Sequence, residues 1–442
     1  MRLRQLFSAA IDATHGERLL THRAELVGDT WRYEAAERSI EMLLPAAGSC
    51  GRVVVVGAGK AAASLALGLE KTLDARIDRG GVCVKHGHVE VLRHIRVFQG
   101  GHPWPDAAGI HGTQEILKLL HGVSEQDVIF VLLTGGASSL LVSPARGVTF
   151  SEKLEISRKL ILSGASIGEI NVVRKHLSAV KGGRLAERCG QARVCTLVVS
   201  DVLGDDPATI GSGPTVPDPS TYGDALQVLR QYGLAGTGPR SVVRHLERGA
   251  AGLERETPKP GEASGQARLI VVANIDDAVA AVAQSARSVG FVVVTPAMRL
   301  SGDTHAAARR FARLVRASAA RRRDTSSPSI VMIAGGETTL EVCGTGSGGR
   351  NQEFAMVAAT ELSGQEGVTL LAAGTDGTDG PTDAAGAFVD GTTIERAHRQ
   401  GLNSAAMLRN NDSYTYFKQL GDSYVSGPTG TNVMDLVLAI IK

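Results

Sequence analysis

Apolar β-type runs that end in glycine turns recur along this chain, and each turn leads into a helical pattern. In one case the run Ile330–Ala334 is followed by the glycine-rich stretch Gly335–Glu353 and then by the apolar helical run Phe354–Leu362. Similar units begin at Arg52 and Asp127. Strands that alternate with helices predict mainly parallel sheets with helices on both faces, which is the α/β class.

A chain of 442 residues is long enough for two or three domains. The segment Glu254–Gln266 is polar and contains two prolines and two glycines, so it indicates a surface loop or a domain boundary. The strand–helix alternation starts again after it. We therefore predict two Rossmann-like α/β domains, residues 1–260 and 267–442, and we predict helices over residues 2–44.

Composition excludes several classes of protein. The net charge is only +2 and aromatic residues make up 4% of the chain, which argues against a nucleic-acid binder. No apolar run is long enough to span a bilayer, and Asp12, His15 and Glu17 interrupt the N-terminal segment, so it does not indicate a secretory signal. We expect a soluble, cytoplasmic enzyme that acts on small molecules, with no nucleic-acid or membrane partner.

The stretch from Gly335 to Glu353 is predicted to bind an anion. Gly344, Gly346, Gly348 and Gly349 remove most side chains from the loop, so it can adopt positive φ and direct backbone N–H groups at a ligand. Arg350 follows near the start of a helix, where the helix dipole also favours negative charge.

A second glycine turn, Gly57-Ala58-Gly59-Lys60, follows a strand and matches the dinucleotide-binding fingerprint. An acidic residue should then end the next strand, but Lys85 lies there, which counts against NAD and leaves NADP open. A lysine in the first turn of a helix opposes the helix dipole, and a bound anion would offset this. Lys60 is therefore a candidate anion ligand.

Further polar turns follow other predicted strands. The turn Thr134–Ser139 suits either phosphate or carboxylate binding by N–H groups, or a simple tight turn. Asp201 ends one strand, and Asp376 and Asp379 follow another. Carboxylates in such positions suit a hydrated Mg²⁺, although aspartate also caps helices. The basic run Arg174–His176 suits either solvation, which we favour, or attraction of the substrate, and the run Arg321–Arg323 is predicted to be solvated.

In this combination and order, the motifs resemble the type II glycerate kinases, the glycerate 2-kinase family. The resemblance covers nearly the whole chain. The matching segments are residues 56–61, 101–103, 134–138, 169–171, 174–176, 181–186, 200–202, 211–215, 335–339, 348–353, 374–380 and 427–433. It implies an N-terminal kinase domain, a C-terminal MOFRL domain and an active site in the cleft between them. It also implies phosphorylation of D-glycerate to 2-phosphoglycerate with ATP and Mg²⁺, with Lys60 and Arg350 as the catalytic pair.

For the mechanism, we predict that Mg²⁺ is held by some of Asp201, Asp376 and Asp379, with Asp201 and Asp379 assigned to the metal. Asp376 is our first choice to accept the proton of the 2-hydroxyl group, and the residues alone leave open which aspartate is the base. The residues expected to contact substrate or nucleotide are Gly57, Gly59, Gly135, Gly136, Ser138, Ser139, Glu337, Asn351 and Thr375. Two alternatives stay open: an NAD(P)H-dependent hydroxypyruvate reductase and a non-catalytic nucleotide or sugar-acid sensor. The residues alone leave open the 2- or 3-hydroxyl group as acceptor, and a monomer or a homodimer.

Overall fold

The computed structural model describes residues 2–261, 267–322 and 328–442. Its helices are α1 (Arg2–Thr14), α2 (Gly16–Arg23), α3 (Ala62–Leu73), α4 (Ala107–Leu119), α5 (Ala137–Leu140), α6 (Phe150–Leu162), α7 (Ile167–His176), α8 (Arg184–Arg188), α9 (Tyr222–Gln231), α10 (Leu234–Thr237), α11 (Arg240–Ala250), α12 (Ile275–Ser288), α13 (Thr304–Arg321), α14 (Arg350–Glu361), α15 (Thr393–Arg399), α16 (Ser404–Arg409) and α17 (Ser413–Leu420). Its strands are β1 (Ala24–Val27), β2 (Thr30–Ala35), β3 (Arg38–Leu43), β4 (Val53–Ala58), β5 (Arg79–Lys85), β6 (Ile95–Gly100), β7 (Val128–Thr134), β8 (Arg193–Val199), β9 (Ala267–Ala273), β10 (Val292–Val294), β11 (Ile330–Gly336), β12 (Val368–Gly374), β13 (Gly386–Asp390), β14 (Ser423–Tyr424) and β15 (Asp435–Ile441).

The chain divides into two compact units. The N-terminal unit is Gly16–Val272, and the C-terminal unit is Ala273–Lys442 together with Met1–His15. Within the described ranges, no helix combines the length and the apolar character needed to cross a membrane.

The sheet of the N-terminal unit has the strand order β6-β5-β4-β7-β8-β9. The pairs β4–β5, β4–β7, β5–β6 and β7–β8 are all parallel. Every residue of β4 and β7 is buried, as expected for central parallel strands that helices cover on both faces. Counted from β4, the order is 3-2-1-4-5-6, which is that of the doubly wound dinucleotide-binding folds. The predicted α/β class is confirmed.

The strand order of this sheet reverses between β4 and β7. In doubly wound sheets, ligands bind outside the carboxyl ends of the strands at such a reversal. The turn with Lys60 follows β4, and the turn Thr134–Ser139 follows β7. The fold therefore brings both glycine turns to the edge where ligands bind.

Residues 24–43 form a three-stranded antiparallel sheet of β1, β2 and β3, so the prediction of helices is wrong for this segment. Along β2, the buried side chains of Trp31 and Tyr33 alternate with more exposed ones, which is the two-residue period of a strand. Gly28 and Ala36 have φ of 60° and 49° and form the hairpin turns. The Leu- and Glu-rich composition favours helix, but burial of one face of the sheet overrides that preference.

A helical layer of the N-terminal unit positions the basic side chains of Lys153 and Arg174. Helices α6, α7, α9 and α11 pack around one apolar cluster. Capping boxes begin α6, where Thr149 pairs with Glu152, and α7, where Ser166 caps the helix. These caps fix where the two helices start and hence where Lys153 on α6 and Arg174 on α7 lie.

The sheet of the C-terminal unit is mixed, with the order β10-β11-β15-β12-β13-β14. Only β10–β11 is parallel among its pairs. The prediction of a mainly parallel sheet is therefore corrected for this unit. The physical reason is that β15, which is buried at every residue and apolar after Asp435, inserts antiparallel between β11 and β12.

The observed units differ from the predicted domains 1–260 and 267–442 at both ends. Helix α1 packs on α12 and β15 of the C-terminal unit, and Phe7 lies edge-on to Tyr424 with ring centroids 5.4 Å apart. Strand β9, in contrast, joins the edge of the N-terminal sheet. Residues 262–266 of the predicted boundary loop, and Arg323 of the predicted basic run, lie outside the described residues.

Candidate active site

The turn after β4 is closed against the turn after β7. The backbone N–H of Lys60 donates to the Gly135 carbonyl at 2.8 Å, and that of Ala61 donates to Thr134 Oγ1 at 3.0 Å. Gly59 is buried with φ of 135°, and a Cβ there would overlap Thr134. Gly57 is also buried, and a Cβ there would overlap the backbone of Leu132. The two glycines therefore allow close packing between the turns, and the ligand contacts predicted for them stay a prediction.

Replacing Gly59 by alanine is expected to lower the stability of the protein by about 3 kcal/mol or more, because strained φ and steric overlap add. Gly87 offers a matched control, since its φ is 81° but a Cβ there meets nothing within 4 Å. Gly87→Ala should therefore cost only about 1 kcal/mol. Circular dichroism melting curves of both variants would measure the difference, and equal melting temperatures would contradict the packing role.

The turn after β7 places its polar groups beside Lys60. Gly136 has φ of 86° and caps helix α5, and a Cβ there would lie 3.4 Å from Lys60 Cγ. Ser138 Oγ lies 3.0 Å from Ser212 Oγ, and Ser139 Oγ donates to the Gly136 carbonyl at 3.1 Å. The structure thus places Gly135 and Gly136 beside Lys60, and Ser138 and Ser139 follow them in the same turn.

A cavity of about 250 Å³ opens beside this turn. Gly136, Ser138 and Ser139 line it together with Lys153 and Lys181. Lys181 is 1% exposed and Lys153 is 7% exposed. Sequence reasoning did not single out these two lysines as ligands, and burial is the signal that distinguishes them from surface lysines.

Asp201 is half-buried directly after β8, at the same sheet edge as the two turns. Among the described residues, no group of three or more His, Cys, Asp or Glu side chains is arranged to hold a metal ion. Mg²⁺ that arrives with a nucleotide needs only one or two protein carboxylates. The role of Asp201 as a ligand of Mg²⁺ therefore stays a prediction, and a single carboxylate at this place is sufficient for it.

In the C-terminal unit, Arg350 is the first residue of α14 and is held by two carboxylates. Its Nε donates to Asp435 Oδ2 at 2.6 Å and its Nη2 donates to Asp435 Oδ1 at 3.0 Å, while its Nη1 pairs with Glu337. Burial opposes the charge, but the carboxylates of Asp435 and Glu337 outweigh it and raise the pKa of Arg350. The guanidinium is therefore a fixed cation, and Glu337 contacts it directly.

The glycine-rich loop before Arg350 does not form the predicted anion-binding loop. The N–H groups of Cys343 and Gly344 both donate to Asn411 Oδ1 at 2.8 Å, and that of Ser347 donates to Asp412 Oδ1. None of the four loop glycines named above has positive φ. A Cβ at Gly344 would overlap Asn410. The glycines are needed because the segment 410–412 packs against this loop and uses its N–H groups.

Asp379 anchors the start of α14. Its Oδ1 accepts from the backbone N–H and the side-chain amide of Asn351 at 3.1 and 3.3 Å, and its Oδ2 accepts from the corresponding groups of Gln352 at 2.9 and 3.0 Å. Burial raises the pKa of Asp379 to about 6, although these donors oppose the shift. Since both oxygens already accept two N–H groups, the contacts favour an anchoring role over the predicted role in metal binding.

The turn after β12 holds Thr375 and Asp376. Thr375 Oγ1 donates to the Met434 carbonyl at 2.6 Å and accepts from the Val433 N–H at 2.9 Å, so its hydroxyl is used to hold this turn. Asp376 is 5% exposed and accepts from the N–H and hydroxyl of Thr378 at 3.0 and 3.1 Å. Arg350, Asn351, Glu337, Asp379, Thr375 and Asp376 all belong to the C-terminal unit, and the predicted interdomain cleft stays a prediction.

The fold and these turns define an α/β protein with a doubly wound N-terminal sheet and a lysine at its strand-order reversal. Two family models match the chain: a domain of unknown function, DUF4147, over residues 2–247, and the MOFRL family over residues 330–435. A D-glycerate 2-kinase of Thermotoga maritima is 41% identical over 92% of this chain and 94% of that protein. A crystal structure of a glycerate kinase from the same organism superposes with a TM-score of 0.80 at 38% identity, covering 99% of this chain and 98% of that one.

A protein of Agrobacterium vitis named as a putative hydroxypyruvate reductase is 40% identical over 88% of this chain and 87% of its own length. The relatives thus carry two different names for their activity. The chain belongs to the glycerate kinase family with a C-terminal MOFRL domain.

Proposed function

We propose that this protein transfers the γ-phosphoryl group of ATP to the 2-hydroxyl group of D-glycerate and releases 2-phosphoglycerate and ADP. The observation that supports this most strongly is the match along nearly the full length of both chains to a D-glycerate 2-kinase. The turns after β4 and β7, which lie at the carboxyl ends of the strands beside Lys60, are compatible with a substrate that carries phosphate and carboxylate groups.

In this reaction the hydroxyl oxygen forms a bond to the γ-phosphorus while the bond from that phosphorus to the oxygen of ADP breaks. Catalysis of such transfers is mainly positioning and charge neutralisation. We assign the neutralising charges to Lys60 and Arg350. Arg350 has five N–H donors, and among the described residues Asp435 and Glu337 engage three of them, so two are left for a phosphoryl oxygen.

The proton of the 2-hydroxyl group needs an acceptor, and Asp376 is our candidate. It lies directly after β12, at the end of a buried strand, and Thr378 orients its carboxylate through two hydrogen bonds. Mg²⁺ bound with the nucleotide would neutralise charge on the phosphates. We propose Asp201 as the carboxylate that holds it, because Asp201 follows β8 at the ligand edge of the sheet.

A hydroxypyruvate reductase is the second candidate, since relatives carry that name and the strand order is that of dinucleotide-binding folds. The turn after β4 argues against it. In the dinucleotide fingerprint this turn opens toward a pyrophosphate group, whereas here the N–H groups of Lys60 and Ala61 donate to the turn after β7. No acidic residue ends β5 to hold a ribose hydroxyl group, because Lys85 lies there.

One pair of assays separates the candidates. Purified protein is incubated with D-glycerate, ATP and Mg²⁺ and followed for ADP, and in parallel with hydroxypyruvate and NADPH or NADH and followed by absorbance. We expect ADP formation that depends on D-glycerate and no oxidation of either dinucleotide. Reductase activity without ADP formation would overturn the proposal, and binding without either reaction would indicate a sensor.

A further inference from the structure

The cavity beside the turn after β7 is lined by basic side chains and by no acidic residue that the structure describes. Lys153, Arg174 and Lys181 line it, together with His102, and none of the described residues that line it is acidic. Lys153 and Lys181 are both more than nine-tenths buried. Keeping two buried lysines and a half-buried arginine charged around one cavity is costly unless an anion accompanies them.

The ammonium groups of both lysines are oriented by backbone carbonyls. Lys181 Nζ donates to the Ser138 carbonyl at 2.7 Å and to the Gly211 carbonyl at 3.3 Å. Lys153 Nζ donates to the Leu177 carbonyl at 2.7 Å and reaches the Arg174 carbonyl at 3.5 Å. A protonated lysine has three donors, so each keeps one for a ligand. Burial lowers the pKa of both lysines, to about 7 for Lys153.

Arg174 differs from its two neighbours in the chain. Lys175 pairs with Asp218 at 3.3 Å, and His176 Nε2 lies 2.9 Å from Glu256. The guanidinium of Arg174 makes no hydrogen bond or ion pair with any residue that the structure describes, and it faces the cavity. The prediction that this basic run is solvated is wrong, because Lys175 and His176 are buried and Arg174 is half-buried.

The size and place of the cavity limit what it can hold. About 250 Å³ lies near the lower end of the roughly 300–1,000 Å³ of ligand pockets, which suits an acid of three carbons. Gly136 lines the cavity and also lies against Lys60 Cγ. A small acid inside would therefore have one end among the buried cations and the other near Lys60.

We propose that this cavity binds the carboxylate of the hydroxy-acid substrate, with Arg174 as its fork-shaped partner and Lys153 and Lys181 as flanking cations. This inference rests on the proposed function and deepens it by assigning the carboxylate to the N-terminal unit. The two N–H edges of a guanidinium match the two oxygens of a carboxylate. The hydroxyl group to be phosphorylated then lies toward Lys60.

The test compares steady-state kinetics of wild type, Arg174→Gln, Arg174→Lys and the control Arg230→Gln. Arg230 is an exposed arginine on α9 of the same unit. We expect Arg174→Gln to raise KM for D-glycerate at least tenfold and to leave KM for ATP within twofold. Arg174→Lys should give an intermediate KM, because it keeps the charge and loses the fork. Arg230→Gln should behave as wild type.

Two outcomes of these kinetics would overturn the inference while the proposed function stands. One is an unchanged KM for D-glycerate in Arg174→Gln with a normal melting curve. The other is a raised KM for ATP alone, which would mean that the cavity takes a phosphate group. If Arg174→Gln fails to fold, Arg174→Lys carries the same comparison.

Calorimetry tests the inference even if the protein does not phosphorylate D-glycerate. Titration with D-glycerate should release heat in wild type and not in Arg174→Gln, and glycerol, which lacks the carboxylate, should not bind either protein. Arg174-dependent binding without turnover would support the cavity assignment and refute the proposed function. Absence of D-glycerate binding to wild type would overturn both.

Binding should also be coupled to proton uptake. Lys153 faces Arg174, Arg184 and Lys181, and a bound carboxylate offsets their repulsion and raises the lowered pKa of Lys153. At pH 8 the heat of binding should therefore differ between Tris and HEPES buffers. The difference should correspond to the uptake of up to one proton per site from the buffer. Lys153→Met should reduce this buffer dependence. An equal heat in both buffers with wild type would contradict the placement of the anion beside these lysines.

Discussion

Replacing Lys60 by methionine is expected to lower kcat for D-glycerate phosphorylation about a thousandfold, because it removes a positive charge beside the transferred group. Methionine keeps the length and apolar part of the side chain. The turn itself is held by backbone hydrogen bonds of Lys60 and Ala61, which the substitution does not touch. The melting temperature should therefore stay close to that of wild type in scanning calorimetry.

Lys118→Met is the matched control for this loss of charge. Lys118 lies on α4 of the same unit, its side chain is 65% exposed, and it pairs with Glu115 at the surface. We expect wild-type kcat for this variant. If Lys60→Met also turned over at a normal rate, Lys60 would not neutralise the transferred group.

Replacing Arg350 by methionine is expected to affect both catalysis and stability. Turnover should fall about a thousandfold, because the second cation of the proposed mechanism is gone. Stability should fall by about 3 kcal/mol, because Asp435, which is 3% exposed, loses the two-bond contact that compensates its buried charge. The measurements are kcat and calorimetric melting of the same preparations.

The double variant Arg350→Met/Asp435→Asn separates the two effects. It removes the buried carboxylate charge together with the guanidinium, so the melting temperature should recover most of the loss. Turnover should stay low if Arg350 acts on the phosphoryl group. Recovery of turnover together with stability would reduce Arg350 to a structural cation that organises Glu337 and Asp435.

A further prediction concerns Lys60 and Arg350 together. If Lys60 and Arg350 stabilise the same developing charge, the effect of removing both should be smaller than the product of the single effects. A double-mutant cycle on kcat/KM measures this coupling. Strictly multiplicative effects would indicate that the two residues act in separate steps.

The sequence predicts well which edge of the N-terminal sheet carries the glycine turns, because the relevant signals are local. A glycine turn that follows an apolar run lies at the carboxyl end of a strand in any α/β sheet. Gly59 and Gly136 occupy such turns, Gly57 lies at the end of β4, and the structure packs the two turns against each other at Lys60. The pattern does not show which N–H groups of one turn donate hydrogen bonds to the neighbouring turn and are therefore not available to a ligand.

The loop before Arg350 shows why local sequence patterns do not predict hydrogen-bond partners from distant parts of the chain. Four glycines in six residues predict a bare anion-binding loop, yet Asn410, Asn411 and Asp412 take up its N–H groups from more than sixty residues away. The insertion of β15 between β11 and β12 is non-local in the same way. No local pattern at either place encodes the contact.

Burial of individual side chains is the other property that the sequence does not show. Lys153 and Lys181 occur at helix and turn positions where a lysine is usually solvated, and only the packed structure shows them around a cavity. The same applies to Arg174, whose neighbours in the chain are neutralised by Asp218 and Glu256. A basic run in a sequence therefore does not reveal which of its charges is available to a ligand.

Phosphorus NMR of the product formed from D-glycerate, ATP and Mg²⁺ tests the central claim most directly. Phosphate on the 2-hydroxyl group is coupled to the single proton of that carbon, and phosphate on the 3-hydroxyl group is coupled to two protons. The account predicts a new ester signal that is split into a doublet and accumulates with ADP. A triplet, or ADP formation without any ester signal, would contradict it.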